Sequence, residues 1–333
     1  MRVAINGYGR IGRCIVWAIY ENGWQNDIEI VAINDLADNA ILAHLTKYDS
    51  THRPFKSEVN FSEEDSTLSI DGHEIHLLTE KDPLELPWKS LDIDLVFECS
   101  GIFKHRAMCE KHLQAGAKKV LLSHPSVDAD LTVVYGVNHE KILPEHQIIS
   151  NASCTTNCLA PLAKIFNDQL GIEQGMMTTI HAYTNDQSLV DRAHKDPYRA
   201  RSATQSMIPT MTGAAAAVGL VLPELLGKLD GIAVRVPTLN VSLVDFQFVA
   251  KQETTQKAIN SMIKQASKGD YAGIVAYNKE PLVSIDYNHN PASSIFDALQ
   301  TRVLGKQCKV MSWYDNEWGF SNRMLDVAKH MFK

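Results

Sequence analysis

No apolar stretch of this sequence approaches the ~20 residues that a bilayer-spanning helix requires. Met1 leads straight into a strand-like segment rather than a basic leader with a cleavage site. Neither a membrane span nor a secretory signal is expected, which predicts a cytoplasmic protein. Long blocks of like charge are also missing. With 32 Lys and Arg against 39 Asp and Glu, the formal charge is -7, which argues against nucleic acid or an anionic membrane as the main partner. Among six cysteines there is no Cys-x-x-Cys pair, the usual signature of a structural zinc, and no metal is expected. Six thiols in so long a chain do not form the disulfide framework of a small secreted domain, and most are expected to be buried. Short repeats, heptads and low-complexity tracts are absent, which excludes fibrous and coiled-coil architectures.

What is present suits a globular protein. The 333 residues are 45% hydrophobic and 21% charged, enough apolar surface to offset chain entropy, and the length predicts two domains. Residues 2–6 read as a short buried strand, followed by Gly7-Tyr8-Gly9-Arg10-Ile11-Gly12 and a helical pattern through Trp17, Ile19 and Tyr20. Residues 28–35 read as a second strand, which completes a βαβ unit. Apolar runs at 95–99, 118–122 and 132–137, with a helix over 105–116, continue the alternation and predict a parallel sheet with helices on its faces.

After about residue 150 the pattern changes. A long helix is predicted over 154–170, with Pro161 either kinking it or marking a late start. Strand-like runs at 176–182, 231–236, 241–250, 282–286 and 308–314 then follow without crossovers, which predicts an antiparallel sheet. Residues 186–212 read as a long functional loop, and 321–332 as a terminal amphipathic helix. The expected architecture is α/β, with a Rossmann-type parallel-sheet domain over 1–153 and an α+β catalytic domain with a mostly antiparallel sheet over 154–318. A C-terminal helix, 319–333, is expected to pack back on the first domain.

The glycine loop lies between a strand and a helix, and Asp35 ends the next strand about 20 residues on, the context that a dinucleotide-binding fingerprint requires. Gly7 would allow the tight turn, Gly9 the approach of a pyrophosphate, and Gly12 close packing of helix on strand. Asp35 can accept hydrogen bonds from ribose hydroxyls and would repel a 2′-phosphate, so NAD is the expected cofactor rather than NADP. A turn or capping role is the plainer alternative for Asp35. Cys154 opens the long helix behind good N-cap residues, where unpaired amides would lower a thiol pKa, and is the candidate nucleophile. Cys158, one turn later, reads as a buried small hydrophobe. His181 closes the strand at 176–181, where it could pair with the thiol as an ion pair and act as acid or base.

Three segments then carry a resemblance to phosphorylating glyceraldehyde-3-phosphate dehydrogenases. They are Ser150-Asn151-Ala152-Ser153-Cys154-Thr155-Thr156-Asn157-Cys158, His181-Ala182-Tyr183-Thr184-Asn185-Asp186-Gln187 and Trp313-Tyr314-Asp315-Asn316-Glu317-Trp318-Gly319. The opening Ala4-Ile5-Asn6-Gly7-Tyr8-Gly9-Arg10-Ile11-Gly12-Arg13 resembles the same family. The resemblance implies oxidation of glyceraldehyde 3-phosphate through a Cys154 hemithioacetal and thioester, with His181 moving the proton and inorganic phosphate releasing the acyl group. It assigns Thr184 and Arg235 to the substrate phosphate, and Ser153, Thr155, Arg199, Thr212 and Gly213 to inorganic phosphate. It assigns Gly7, Gly9, Arg10, Ile11, Gly12, Asp35, Lys81, Ser123 and Asn316 to NAD. It also likens 186–212 to the family's S-shaped loop and implies a homotetramer.

Two alternatives accompany this reading. Ser123-His124-Pro125 resembles the sister erythrose-4-phosphate dehydrogenases, although Thr184, Ala193-His194-Lys195-Asp196 and the run from Thr210 to Ala215 follow the glyceraldehyde pattern. Arg192-Ala193 stands where NAD-specific members commonly show Leu-Pro, so exclusion of NADP rests on Asp35 and Leu36. From a different class, a non-catalytic redox-sensing or RNA-binding dinucleotide fold has no need to retain Cys154, His181 and two anion sites together.

Overall fold

The computed structural model describes every residue, Met1–Lys333. The chain divides into two compact units: residues 1–133, 140–152 and 321–333 form the first, and residues 134–139 and 153–320 the second.

The first unit is built on β1 (Arg2–Asn6), β2 (Glu29–Asn34), β3 (Val59–Ser62), β4 (Thr67–Ile70), β5 (His73–Leu78), β6 (Leu95–Glu98), β7 (Lys119–Leu122), β8 (Leu131–Thr132) and β9 (Ile148–Ser150). Their order is β3-β4-β5-β2-β1-β6-β7-β9-β8. Every pairing from β5 through β8 is parallel, and β3 and β4 add an antiparallel extension. The helices α1 (Arg10–Glu21), α2 (Asn39–Lys47) and α3 (Arg106–Gln114) interrupt the strands. Neighbours β2 and β6 flank β1, so the chain leaves in opposite directions on the two sides, the topological switch point at which open α/β sheets bind ligands. One cluster of the core joins Ala4 of β1 and Val96 of β6 to Trp88 and Ile93.

The second unit carries α4 (Cys154–Leu170), β10 (Ile172–Ala182), β11 (Ile208–Met211), α5 (Ala214–Val221), β12 (Leu229–Val236), β13 (Ser242–Ala250), α6 (Gln256–Ala266), β14 (Val275–Asn278), β15 (Ser294–Asp297), β16 (Arg302–Leu304) and β17 (Gln307–Tyr314). The sheet order is β11-β12-β10-β13-β17-β15-β14, with β16 paired to β17. Most pairings are antiparallel, but β10 with β12 and β14 with β15 are parallel. Burial alternates along β13, so one face packs under α4, where Phe166 and Phe248 stack with ring centroids 5.0 Å apart. A final helix, α7, spans Trp318–His330.

Several local expectations are corrected. The strand expected at 132–137 stops at Thr132, because the Asn138 side chain accepts the Val134 N–H at 2.9 Å and Gly136 turns the chain with a φ of 83°. The run at 282–286 is a 3-10 turn, Ser284–Tyr287, held by the Asp286 carboxylate on the Val283 amide at 2.9 Å. The loop at 186–212 ends in a strand, β11, with Pro209 inside it; β11 is a sheet edge, where a missing N–H is tolerated. Pro161 lies inside an uninterrupted α4, so the late start is excluded.

Candidate functional site

The first unit offers a cradle whose shape comes from glycine. Gly7 has a φ of 90°, and a Cβ there would fall on the Ser100 backbone. A Cβ on Gly12 would meet the Gly7 carbonyl at 2.5 Å, whereas at Gly9 nothing lies within 4 Å. Two glycines therefore close the turn and the third keeps space open. Helix α1 starts at that space with no side-chain cap, which leaves its N-terminal turn, with Arg10 and Ile11, suited to an anion. The Arg10 guanidinium itself turns to Asp49, which holds that carboxyl down at about 2 against the opposing effect of burial.

Asp35 follows β2, where its carboxylate accepts the Tyr8 amide at 2.7 Å and the Ala37 amide at 3.0 Å. Each oxygen keeps a lone pair for a ribose hydroxyl. Ser123 follows β7, its amide donating to Glu98 O at 3.0 Å, and exposed Lys81 lies just beyond β5. All these residues gather at the carboxyl ends of the parallel strands. The donor set and the open position at Gly9 fit a dinucleotide.

Beneath this crevice lies a network the sequence did not disclose. Glu98 is fully buried and accepts from Asn6 Nδ2 at 2.6 Å, from the Ser100 amide at 2.8 Å and from the Ser100 hydroxyl at 2.5 Å. His112 Nδ1 accepts the Trp88 indole N–H at 3.0 Å, so its Nε2 carries the proton that faces Glu98 at 3.1 Å. The pattern of β6 gave no hint of this, because a glutamate closing an apolar strand reads as solvated.

In the second unit the thiol is the first residue of α4. Ser153 is the N-cap, its hydroxyl accepting the Thr156 amide at 3.0 Å, and Ala152 before it holds a left-handed φ of 55°. Cys154 Sγ lies 3.6 Å from His181 Nε2. His181 sits near the end of β10, paired in register with Arg235 on β12, so both side chains share the helix-covered face. His181 Nδ1 is 2.7 Å from Ala182 O and 2.8 Å from Arg235 Nη1, which itself reaches Ala182 O at 3.1 Å. The Ala182 carbonyl can only accept and the Arg235 guanidinium can only donate, so the two contacts at Nδ1 favour opposite tautomers, while Nε2 faces the sulfur.

Burial and a nearby charge act on both groups. Burial pushes the Cys154 thiol up, although the Arg235 charge and the hydroxyl and amide of Thr155 pull the other way. Burial, and then the Arg235 charge, press His181 down to about 3, against the hydrogen bond to Ala182. Burial thus opposes a charge on either member of the ion pair the sequence suggests. Cys154 retains partial exposure, and so remains reachable, while Cys158 is buried against Ser294 as expected.

The anion residues fall into two groups. Thr156 Oγ1 donates to Ala214 O at 3.4 Å, which brings the start of α5 beside the start of α4 and so gathers Ser153, Thr155, Thr212 and Gly213. Gly213 caps α5 without a side-chain bond, in open space. The Thr212 hydroxyl accepts the Ala214 amide at 3.2 Å, and the Thr155 hydroxyl bonds the Tyr314 hydroxyl at 2.8 Å. Arg199 is engaged by Asp186, Asp196, Thr210 and Met211, one bond at each of its three nitrogens, which leaves a second N–H on each Nη. It still lies close enough to lower the pKa of Arg235 after burial has done so, and two cations in one locality favour an anion. Thr184 follows β10, half-buried, and Asn316 lies beyond β17, its Oδ1 accepting from Ser242 at 2.8 Å. Tyr314, Ser242 and Asp315 went unread as site residues, although Tyr314 and Asp315 lie inside the motif that carried the resemblance.

These parts define a dinucleotide-binding α/β protein with a thiol, an imidazole and a guanidinium assembled for covalent chemistry. Two family profiles match the chain: glyceraldehyde 3-phosphate dehydrogenase, NAD binding domain, over residues 1–106, and glyceraldehyde 3-phosphate dehydrogenase, C-terminal domain, over 153–316. A glyceraldehyde-3-phosphate dehydrogenase of Pseudomonas aeruginosa is 57% identical over 328 residues, 98% of this chain and 97% of its own length. The chromosomal enzyme of Cupriavidus necator is 57% identical over 329 residues, again 98% and 97%. Glyceraldehyde-3-phosphate dehydrogenase 1 of Bacillus subtilis is 52% identical over 335 residues, 100% of this chain and 98% of its own. The chain belongs to the glyceraldehyde-3-phosphate dehydrogenase family.

Proposed function

We propose that this chain is an NAD-dependent dehydrogenase that converts glyceraldehyde 3-phosphate and inorganic phosphate to 1,3-bisphosphoglycerate. The observation that carries the reading is the contact of Cys154 Sγ with Nε2 of His181 at 3.6 Å, with Arg235 on the far side of the ring. Sulfur attacks the aldehyde carbon, its proton passing by way of Nε2 to the carbonyl oxygen, to give a hemithioacetal on Cys154. Nε2 then takes the hydroxyl proton as that carbon is oxidised to the thioester. NAD, when bound, supplies the hydride acceptor. Phosphate displaces the acyl group and returns the thiol.

Residues 1–153 serve the cofactor through Gly7, Gly9, Arg10, Ile11, Gly12, Asp35, Lys81 and Ser123, with Asn316 orienting the nicotinamide, and residues 154–318 carry the chemistry. Arg235 and Thr184 hold the substrate phosphate. Ser153, Thr155, Thr212 and Gly213 receive inorganic phosphate, with Arg199 supplying charge once its aspartates yield. The six free cysteines and the lack of any helix long and apolar enough to cross a membrane support a cytoplasmic home. On the sheet face opposite His181, Met176, Met211 and Ile232 are exposed, apolar surface that packing of copies into a homotetramer would cover.

The test is NADH absorbance with phosphate present, comparing glyceraldehyde 3-phosphate with erythrose 4-phosphate and NAD with NADP. The reading requires glyceraldehyde 3-phosphate and NAD to give the higher kcat/KM, and Cys154→Ser to abolish turnover. Preference for erythrose 4-phosphate would transfer the chain to the sister activity.

A further inference from the structure

The Asn316 amide has two ends, and only the donor end suits a ligand that presents a carbonyl. Ser242, at the start of β13, is 1% exposed, and its hydroxyl accepts the Ala182 amide proton at 3.1 Å. The single hydroxyl proton is thereby left to donate, and the acceptor within reach is Asn316 Oδ1 at 2.8 Å. The oxygen of Asn316 is spent inward, while Nδ2 makes no hydrogen bond within the protein.

The backbone on either side is fixed as well. Asp315, 1% exposed, accepts the Glu317 and Trp318 amides at 2.9 and 2.7 Å on one oxygen. Its other oxygen accepts Asn240 Nδ2 at 2.8 Å and the His289 amide at 2.7 Å. Val241, immediately before Ser242, holds a φ of 69°, a costly conformation for a β-branched residue that persists only where surrounding contacts enforce it.

We propose that Ser242 is a positioning residue that sets the polarity of the Asn316 amide, so that the site accepts a pyridine ring bearing a 3-carbonyl and rejects one bearing a donor there. This rests on the NAD reading above. The same residue links the two halves of the chemistry: Ala182 N–H anchors Ser242, and Ala182 C=O accepts from Arg235 and lies 2.7 Å from His181 Nδ1. The orientation of the nicotinamide and of the base are thus referred to one strand end.

The experiment measures dinucleotide binding by quenching of protein fluorescence, without turnover, and separately the face of the ring that receives deuteride from a 1-deuterated aldehyde. In the unsubstituted protein the 3-acetylpyridine analogue of NAD, which keeps the carbonyl, binds within a few-fold of NAD. The 3-aminopyridine analogue, which presents a donor, binds at least ~10-fold more weakly, the loss expected for one mismatched polar contact. In Ser242→Ala the gap between the analogues closes and the label is found on both faces, while Ser242→Thr restores both properties. Equal binding of the two analogues to the unsubstituted protein would overturn the proposal even if Ser242→Ala failed to fold. So would an undiminished gap and single-faced transfer in a folded Ser242→Ala. Failure of NAD itself to bind would instead defeat the reading on which the proposal rests.

Discussion

The guanidinium of Arg235 stands 2.8 Å from Nδ1 of His181, on residues paired in register across the parallel strands β12 and β10. One positive charge thereby acts on both reacting groups, drawing down the thiol of Cys154 and the imidazole together.

Replacing Arg235 by Leu removes that charge while keeping apolar bulk. Both groups then hold their protons more tightly, and the pH midpoint for alkylation of Cys154 by iodoacetamide moves upward. An unchanged or lower midpoint would show that the charge does not act on the sulfur.

His181 is also a stability sensor. Its folded pKa of about 3 lies below the ordinary 6.5, so between those values the unfolded chain binds the extra proton. The contribution is complete above about 6.5 and is lost as pH falls toward 3. Urea unfolding across that window is expected to show a shallower acid loss in His181→Asn than in the parent.

Asp35 accepts two backbone amides with its carboxylate, and the expected ribose contact uses its remaining lone pairs. Asp35→Asn is expected to weaken NAD roughly tenfold, the order of a charge-assisted bond. It should also narrow the preference over NADP, as titration calorimetry with both cofactors would read. Unchanged affinity for NAD would return Asp35 to a turn-capping role.

Ser153 caps the helix that presents the thiol, and its hydroxyl takes the Thr156 amide at 3.0 Å. Ser153→Ala is expected to cost about 1 kcal/mol in denaturant unfolding. Ser153→Asp, which keeps an acceptor in place, should recover most of it.

The parts that could be read from sequence were those whose signal is local. The glycine loop declared itself because Gly7, Gly9 and Gly12 each meet a separate steric demand, and Cys154 because a cap and a helix start are written within a few residues. Parallel pairing of β10 with β12 was not legible, since the distant partner of His181 is chosen by tertiary packing rather than by neighbouring residues. The same holds for Glu98 and His112, which satisfy each other only after folding. A helix terminus that favours a thiolate at Cys154 can be inferred locally, but the burial that opposes it cannot. The run at 282–286 reads as a strand only because a short apolar segment has no period of its own, and in the fold a single Asp286 side chain turns it.

Pro209 has one more consequence. It interrupts the outermost strand of the second sheet with a residue that has no amide proton to offer, so a stray β-strand from another molecule finds the ladder broken there. Runaway growth of fibrils from that margin is thereby discouraged.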